Sequence, residues 1–230
     1  MAINLNIPDP LLSDFETSAR RANFTDEDIR AACEIKMAEL LSNVRGRIIG
    51  IELKEVLATE KDGGSMANGP HIAHPLARSM LCLLRDGGNK TVLWAPHCLM
   101  GGAQKILEDS SLTDLVSGMK PGDTELPPIS LAAIDQLNGI ATAVGLLQNF
   151  KQGENDRVVR SPDLLRYIGV THVVCFFPPG YNDRRLTSVR TNLVSGLPFM
   201  PMQKPVDTLT GMVKTTKNLA DSINGSSGKR

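Results

Sequence analysis

PISLAAIDQLNGIATAVGLLQNF, residues 128–150, is the stretch on which the fold assignment turns. Between Ile129 and Phe150 only Asp135 is charged. Wound at about 3.6 residues per turn, Ile134, Leu137, Ile140, Ala141, Val144 and Leu147 cover one broad face. Asp135, Asn138, Thr142 and Asn149 form a narrow polar stripe opposite. A helix apolar over most of its circumference is normally buried, so the spacing predicts a central buried helix over 129–150. Asn138-Gly139 is a turn signal inside it, and a mid-helix glycine costs about 1 kcal/mol relative to alanine. Ala132, Ala133, Ala141, Ala143 and Gly145 keep the segment slim, which favours one helix, bent near Gly139, over two shorter ones.

Charge changes sign just beyond this stretch. Residues 1–156 hold 14 Lys/Arg against 21 Asp/Glu, and residues 157–230 hold 11 against 4, so a net charge of zero conceals an acidic half and a basic one. Such asymmetry bears on partners and says nothing about fold. The resulting division is an N-terminal arm at 1–23, an acidic helical half at 24–127, the central helix with the basic half at 128–223, and a mobile tail at 224–230.

Upstream, Thr25-Asp26-Glu27-Asp28 has the form of a capping box. Ile29, Ala32, Cys33, Met37, Leu40, Leu41 and Val44 follow at helical spacing, predicting a helix over about 26–44. Ile49, Ile51 and Leu53 alternate and suit a strand. Residues 61–70 (KDGGSMANGP) read as loop, and a helix is expected from Pro75 to Asp86-Gly87-Gly88. Val92-Leu93-Trp94 is too short to classify, while residues 101–108 and 111–119 read as short helices.

Downstream, Ser161-Pro162-Asp163 opens a short helix that Gly169 ends, and Val170–Phe177 is rich in β-branched and aromatic residues and reads as a strand. A helix is expected from Asn182 or Asp183 to Val194, irregular chain over 197–205, and a final amphipathic helix over 206–223. About eight helices against two or three short strands make a mainly α fold, compact or bilobed around helix 129–150.

The chemistry-bearing patterns are sparse. There is no G-x-S-x-G, H-E-x-x-H or G-x-G-x-x-G. His71, His74, His97 and Cys98 allow a metal site to be drawn, but zinc needs four converging ligands and this spacing does not enforce convergence. Ordinary loop histidines are the default, His172 within its apolar strand is a core residue, and nothing calls for a cofactor. Pro178-Pro179-Gly180-Tyr181 matches the PPxY pattern that WW domains take, although two prolines after a strand also serve simply to end it.

The basic constellation carries more weight. Arg157, Arg160 and Arg166 precede the strand at 170–177, Arg184, Arg185 and Arg190 follow it, and Tyr167, Tyr181 and Lys204 lie among or beyond them. Planar guanidiniums bind phosphate bidentately and stack on bases, so six of them around one strand suit a nucleic-acid backbone. Aromatic residues are only 4% of the chain, which argues against readout of many stacked bases. A solvated face paired with the acidic half is the competing reading.

The sequence therefore predicts a non-enzymatic, self-assembling structural protein that binds single-stranded RNA by its backbone and associates head to tail. Nucleocapsid and coat proteins of RNA viruses share that general build, an analogy of architecture alone. The alternatives are an enzyme with a site of histidines and carboxylates between the halves, and an adaptor using PPxY. The N-terminus MAINLNIPDP lacks the basic and apolar regions of a signal peptide, no apolar run approaches the ~20 residues of a membrane helix, and the four cysteines are scattered. The expected setting is soluble, reduced and cytoplasmic.

Overall fold

A computed structural model of the chain describes residues 24–61, 69–117, 125–134, 169–176 and 192–227. At its centre is β1 (Ile48–Glu52), the middle strand of a five-stranded sheet. On one side β1 pairs with β4 (Lys90–Leu99), which pairs with β5 (Ile129–Ile134). On the other it pairs with β6 (His172–Cys175), which pairs with β7 (Asn192–Ser195). All four pairings are parallel. The order β5-β4-β1-β6-β7 means that the chain builds outward from β1 in one direction, returns, and builds outward in the other. This is a doubly wound α/β sheet.

The mainly α expectation is thereby overturned, and the stretch that carried it is where it fails. Ile129–Ile134, the predicted start of the central buried helix, is strand β5. Residues 135–150 lie outside the described residues. The cause is physical: a parallel strand is covered on both faces, so it reads as a continuous apolar run with no alternation to distinguish it from a buried helix. Ile129, Ser130, Leu131 and Ala132 are all buried, so both faces of β5 are covered.

Two further expectations change, and one ribbon is added. His71–Ala73, just ahead of the helix expected from Pro75, forms β3, antiparallel to β2 (Ala58–Glu60), a two-stranded ribbon inserted between β1 and the helix that follows. Residues 192–194, expected at the end of a helix, belong to β7. The helix expected from Ser111 is a single 3-10 turn at Thr113–Leu115.

Other elements form where local chemistry dictates. α1 (Asp26–Leu41) has the complete capping box: Thr25 Oγ1 accepts from the Asp28 amide at 3.2 Å, and the Asp28 carboxylate accepts from the Thr25 amide at 2.9 Å. α2 (Ala77–Asp86) ends at Gly87, followed by Gly88 at φ +74°, a conformation other residues adopt only with strain. β4 extends well beyond the visible Val-Leu-Trp run. Its register against β5 slips between Ala95 and Leu99, and Pro96, which has no amide hydrogen to give, sits in that irregularity. α3 (Met100–Asp109) follows directly, and α4 (Pro205–Ser227) closes the described chain.

The four helices share one core with one face of the sheet. Met37 of α1, Leu81 of α2, Ile106 of α3 and Met212 of α4 belong to the same buried cluster as Ile49, Ile51, Leu93, Ile129, Leu131, Val174 and Val194. The alternate residues of the strands (Gly50, Val92, Trp94, Ser130, Ala132, Val173 and Cys175) are buried on the opposite face. Acidic and basic halves of the sequence thus lie side by side in one sheet: β5, β4 and β1 come from the first, β6 and β7 from the second.

Candidate functional site

In a doubly wound sheet the two halves diverge at one point, and the loops leaving the carboxyl ends of the strands there open a crevice. In this chain that switch point lies between β1 and β6. The residue ending β1 is Glu52, an acid that closes an otherwise apolar strand.

The registers place a row of side chains across the carboxyl ends on the face away from the helices. Ala132 pairs with Trp94, and Trp94 with Glu52. Ile51 pairs with Val174, which brings Glu52 level with Cys175, itself paired with Ser195. The Glu52 carboxylate crosses the switch point: its Oε2 accepts the amide of Phe176, just past β6, at 2.7 Å. Among the described residues its other oxygen has no hydrogen-bond partner.

Burial dominates the electrostatics of this acid. It raises the carboxyl above its ordinary 4.5, the Phe176 amide partly offsets that, and nearby Glu55 adds to it, leaving the group at about 7. Both protonation states are then populated at neutral pH, as a group that gives and takes protons requires. The Cys175 thiol is pushed well above its ordinary range, by burial first and by Glu52 second, so it is an inert neighbour and not a nucleophile. Trp94 is 5% exposed, and among the described residues its indole Nε1 has no partner.

The turn after β1 is unusual. Glu55 has φ 74°, costly for a residue with a side chain, and a tight bracket holds it: its amide donates to Ala58 and its carbonyl accepts from Phe199 at 2.7 Å. Lys54 Nζ lies 2.9 Å from buried Glu60, so the cation of this turn is already paired. Leu53-Lys54-Glu55-Val56 contains no glycine, and β2 and β3 separate β1 from α2. The glycine-rich turn and adjoining helix start that cradle a pyrophosphate in dinucleotide-binding folds are therefore not built here.

Among the described side chains, His71, His74 and His172 do not converge on a site. His74 is buried with both ring nitrogens engaged: Nε2–H donates to the Thr208 carbonyl at 2.9 Å, and Nδ1 accepts the Leu76 amide at 3.0 Å. Its ring meets Phe199 edge-on at 5.0 Å. Burial lowers it to about 4, with the Thr208 contact a smaller opposing effect, so it is neutral at pH 7 and braces α4 against the start of α2. His71 lies 3.5 Å from Asp109, whose carboxylate also accepts the His71 amide and pairs with Lys105. His172 is buried in β6 between Thr171 and Asn192, as a core histidine should be. Among the described residues no three metal-ligating side chains gather, and the side chains of His97 and Cys98 are not among those described.

Of the basic constellation, Lys204 is described: it is exposed, just before α4. Arg157, Arg160, Arg166, Tyr167, Tyr181, Arg184, Arg185 and Arg190 lie outside the described residues, as do Pro178 and Pro179. In the chain, residues 177–191 join the carboxyl end of β6 to the start of β7. Glu52 and Trp94 were not singled out by sequence. The available signal was an acid on the opposite phase of the Ile49, Ile51, Leu53 alternation, and it meant little without the sheet order.

The chain matches no protein-family model, no curated protein and no solved structure. Among the described residues no helix is long and apolar enough to cross a membrane.

Proposed function

We propose that this protein binds a small polar ligand at the carboxyl edge of its sheet, between β1 and β6, and performs acid–base chemistry there through Glu52. One observation carries the reading: a half-buried carboxyl group, its pKa raised to about 7, bridges the two strands at which the winding reverses. Burying such an acid costs stability, and in return the edge gains a group matched to proton transfer at pH 7. Thermal shifts of the full chain against nucleosides, sugars, amino acids and small carboxylic acids test it. At least one class should raise the melting temperature of the wild type by several degrees and leave Glu52→Ala unmoved. A panel that shifts neither protein, or both alike, overturns the reading.

The charge division favours a second reading, in which the basic C-terminal third holds single-stranded RNA by its backbone. It rests on the 11 Lys/Arg against 4 Asp/Glu beyond residue 156, among them Arg157, Arg160, Arg166, Arg184, Arg185, Arg190 and Lys204. The likeness to coat proteins drew on a helical build, which the parallel sheet replaces, but the charge argument does not depend on that build. Head-to-tail self-association, a WW-domain partner at Pro178-Pro179-Gly180-Tyr181 and a cytoplasmic setting belong to this reading. Full-length protein should bind single-stranded RNA with affinity that falls steeply as salt rises, and Arg184→Ala with Arg185→Ala should flatten that salt slope by about 2. A monomer by light scattering that leaves RNA unshifted at low salt sinks it.

A further inference from the structure

We infer that the ligand group seated at the carboxyl edge is a vicinal diol of the ribose kind, one hydroxyl donating to Glu52 and its neighbour accepting from the indole N–H of Trp94. This rests on the reading of that edge as a ligand site and names what the site takes.

Glu52 and Trp94 are register partners on adjacent parallel strands, so their side chains leave the same face about 5 Å apart at the backbone. They offer opposite halves of a hydrogen-bonding pattern. Glu52 has spent one oxygen on the Phe176 amide, and among the described residues the other has no hydrogen-bond partner. Trp94 Nε1 is a donor only, is buried, and has no partner among the described residues. A ligand that completes both presents a donor and an acceptor, and the register of the two strands favours having them close together.

Common alternatives fail on one count or another. An ammonium group serves Glu52 and gives nothing to Trp94. A phosphate serves Trp94 but sets its charge against Glu52 and Glu55, and among the described residues the cation of this turn, Lys54, is held by Glu60. A primary amide meets both groups while Glu52 is ionised, yet its NH2 cannot accept when Glu52 carries a proton. A hydroxyl can reverse its bond and follow Glu52 through both states. The turn after β1 lacks the glycines that cradle a pyrophosphate, which points to a nucleoside or free sugar and away from a dinucleotide.

Trp94 is the only tryptophan in the chain, so its fluorescence reports on this position alone. The test titrates the full-length protein with adenosine, 2′-deoxyadenosine and D-ribose, in wild type and Glu52→Ala. Alanine offers the hydroxyl neither a donor nor an acceptor, and circular dichroism confirms that the variant folds. A saturable change with adenosine, at least tenfold weaker with 2′-deoxyadenosine and at least tenfold weaker in Glu52→Ala, supports the inference. Saturation by adenosine without ribose identifies a nucleoside, and saturation by ribose as well identifies the sugar itself. Trp94→Phe, followed by calorimetry, should weaken binding of the same ligand about tenfold.

Equal affinity for adenosine and 2′-deoxyadenosine overturns the diol and leaves the edge a ligand site. No saturable response to any of the three overturns the diol. If the wider thermal-shift panel is silent too, the site reading falls with it.

Discussion

Two buried polar side chains, Asn89 at the amino end of the sheet and Trp94 at the carboxyl end, are placed in opposite ways. At the amino end, Asn89 is buried and its side chain is spent on backbone: Nδ2 donates to the carbonyls of Val44 at 2.8 Å and Leu84 at 3.0 Å, and Oδ1 accepts the Arg47 amide at 3.0 Å. One amide ties the exit of α1, the end of α2 and the approach to β1. At the carboxyl end, Glu52 has used one oxygen and Trp94 Nε1 has no partner among the described residues. The lesson is that burial alone does not mark function. A satisfied buried polar group is a brace, and one with capacity in reserve marks a ligand site only where the strands open a crevice, as at Trp94 and not at the buried hydroxyls of Thr91 and Ser130 near the amino end.

If that contrast is correct, brace residues cost stability when removed and the edge residue does not. The largest effect is expected at His74, which braces in the same manner as Asn89. His74→Ala removes two hydrogen bonds and a ring contact and leaves the Thr208 carbonyl and Leu76 amide without their partner, a loss of about 3 kcal/mol in urea unfolding at pH 7. Its pH dependence has a definite sign. The folded-state value of about 4 lies below the ordinary 6.5, so the unfolded chain takes the proton first. The stability it contributes is complete above about 6.5 and is lost as pH falls toward 4, a slope that His74→Ala should abolish.

Asn89→Ala should cost about 2 kcal/mol, with no dependence on pH between 5 and 8, since no titrating group is removed. A loss under 0.5 kcal/mol would mean that the amino end is not braced as drawn.

Glu52→Gln should go the other way. The folded-state value of about 7 lies above the ordinary 4.5, so the folded chain holds the proton more tightly and stability falls as pH rises through that window. The interval corresponds to about 3 kcal/mol at most, and partial solvent access brings it to about 1–2. The variant should match wild type near pH 4 and exceed it by that amount at pH 8. A variant less stable at every pH would make Glu52 a brace and erase the comparison.

The smallest effect belongs to Arg78, whose fork on Asp114 at 2.6 and 2.9 Å is well made but exposed. Arg78→Ala should change stability by less than about 1 kcal/mol, falling further in high salt.

How much of this was legible in the sequence depends on how far apart the deciding residues lie. The capping box at Thr25 and Asp28 is complete within four residues and predicted α1 correctly. α4 and β6 were likewise visible, from Leu209, Met212 and Val213 at helical spacing and from the β-branched run around Val173 and Val174. β5 was misread because its partner is β4: the pairing that makes Leu131 and Ala132 a strand is supplied by Leu93 and Trp94, not by their own neighbours. β7 is only four residues long and leaves too little pattern to read. Glu52 was invisible as a site for the same reason as β5. It becomes one only when His172–Cys175 docks beside β1, an arrangement no local window contains.

That distant docking bears on how the protein is made. β1 leaves the ribosome early and finds β4 soon after, but its second edge stays open until residues 172–175 have been synthesised. Through most of translation the nascent chain therefore carries a bare apolar strand, Ile48-Ile49-Gly50-Ile51, in the middle of its future sheet. Chains that stop before residue 172 should aggregate, and those that pass it should fold slowly, because the contact that seals the sheet is also the one that spans most of its length.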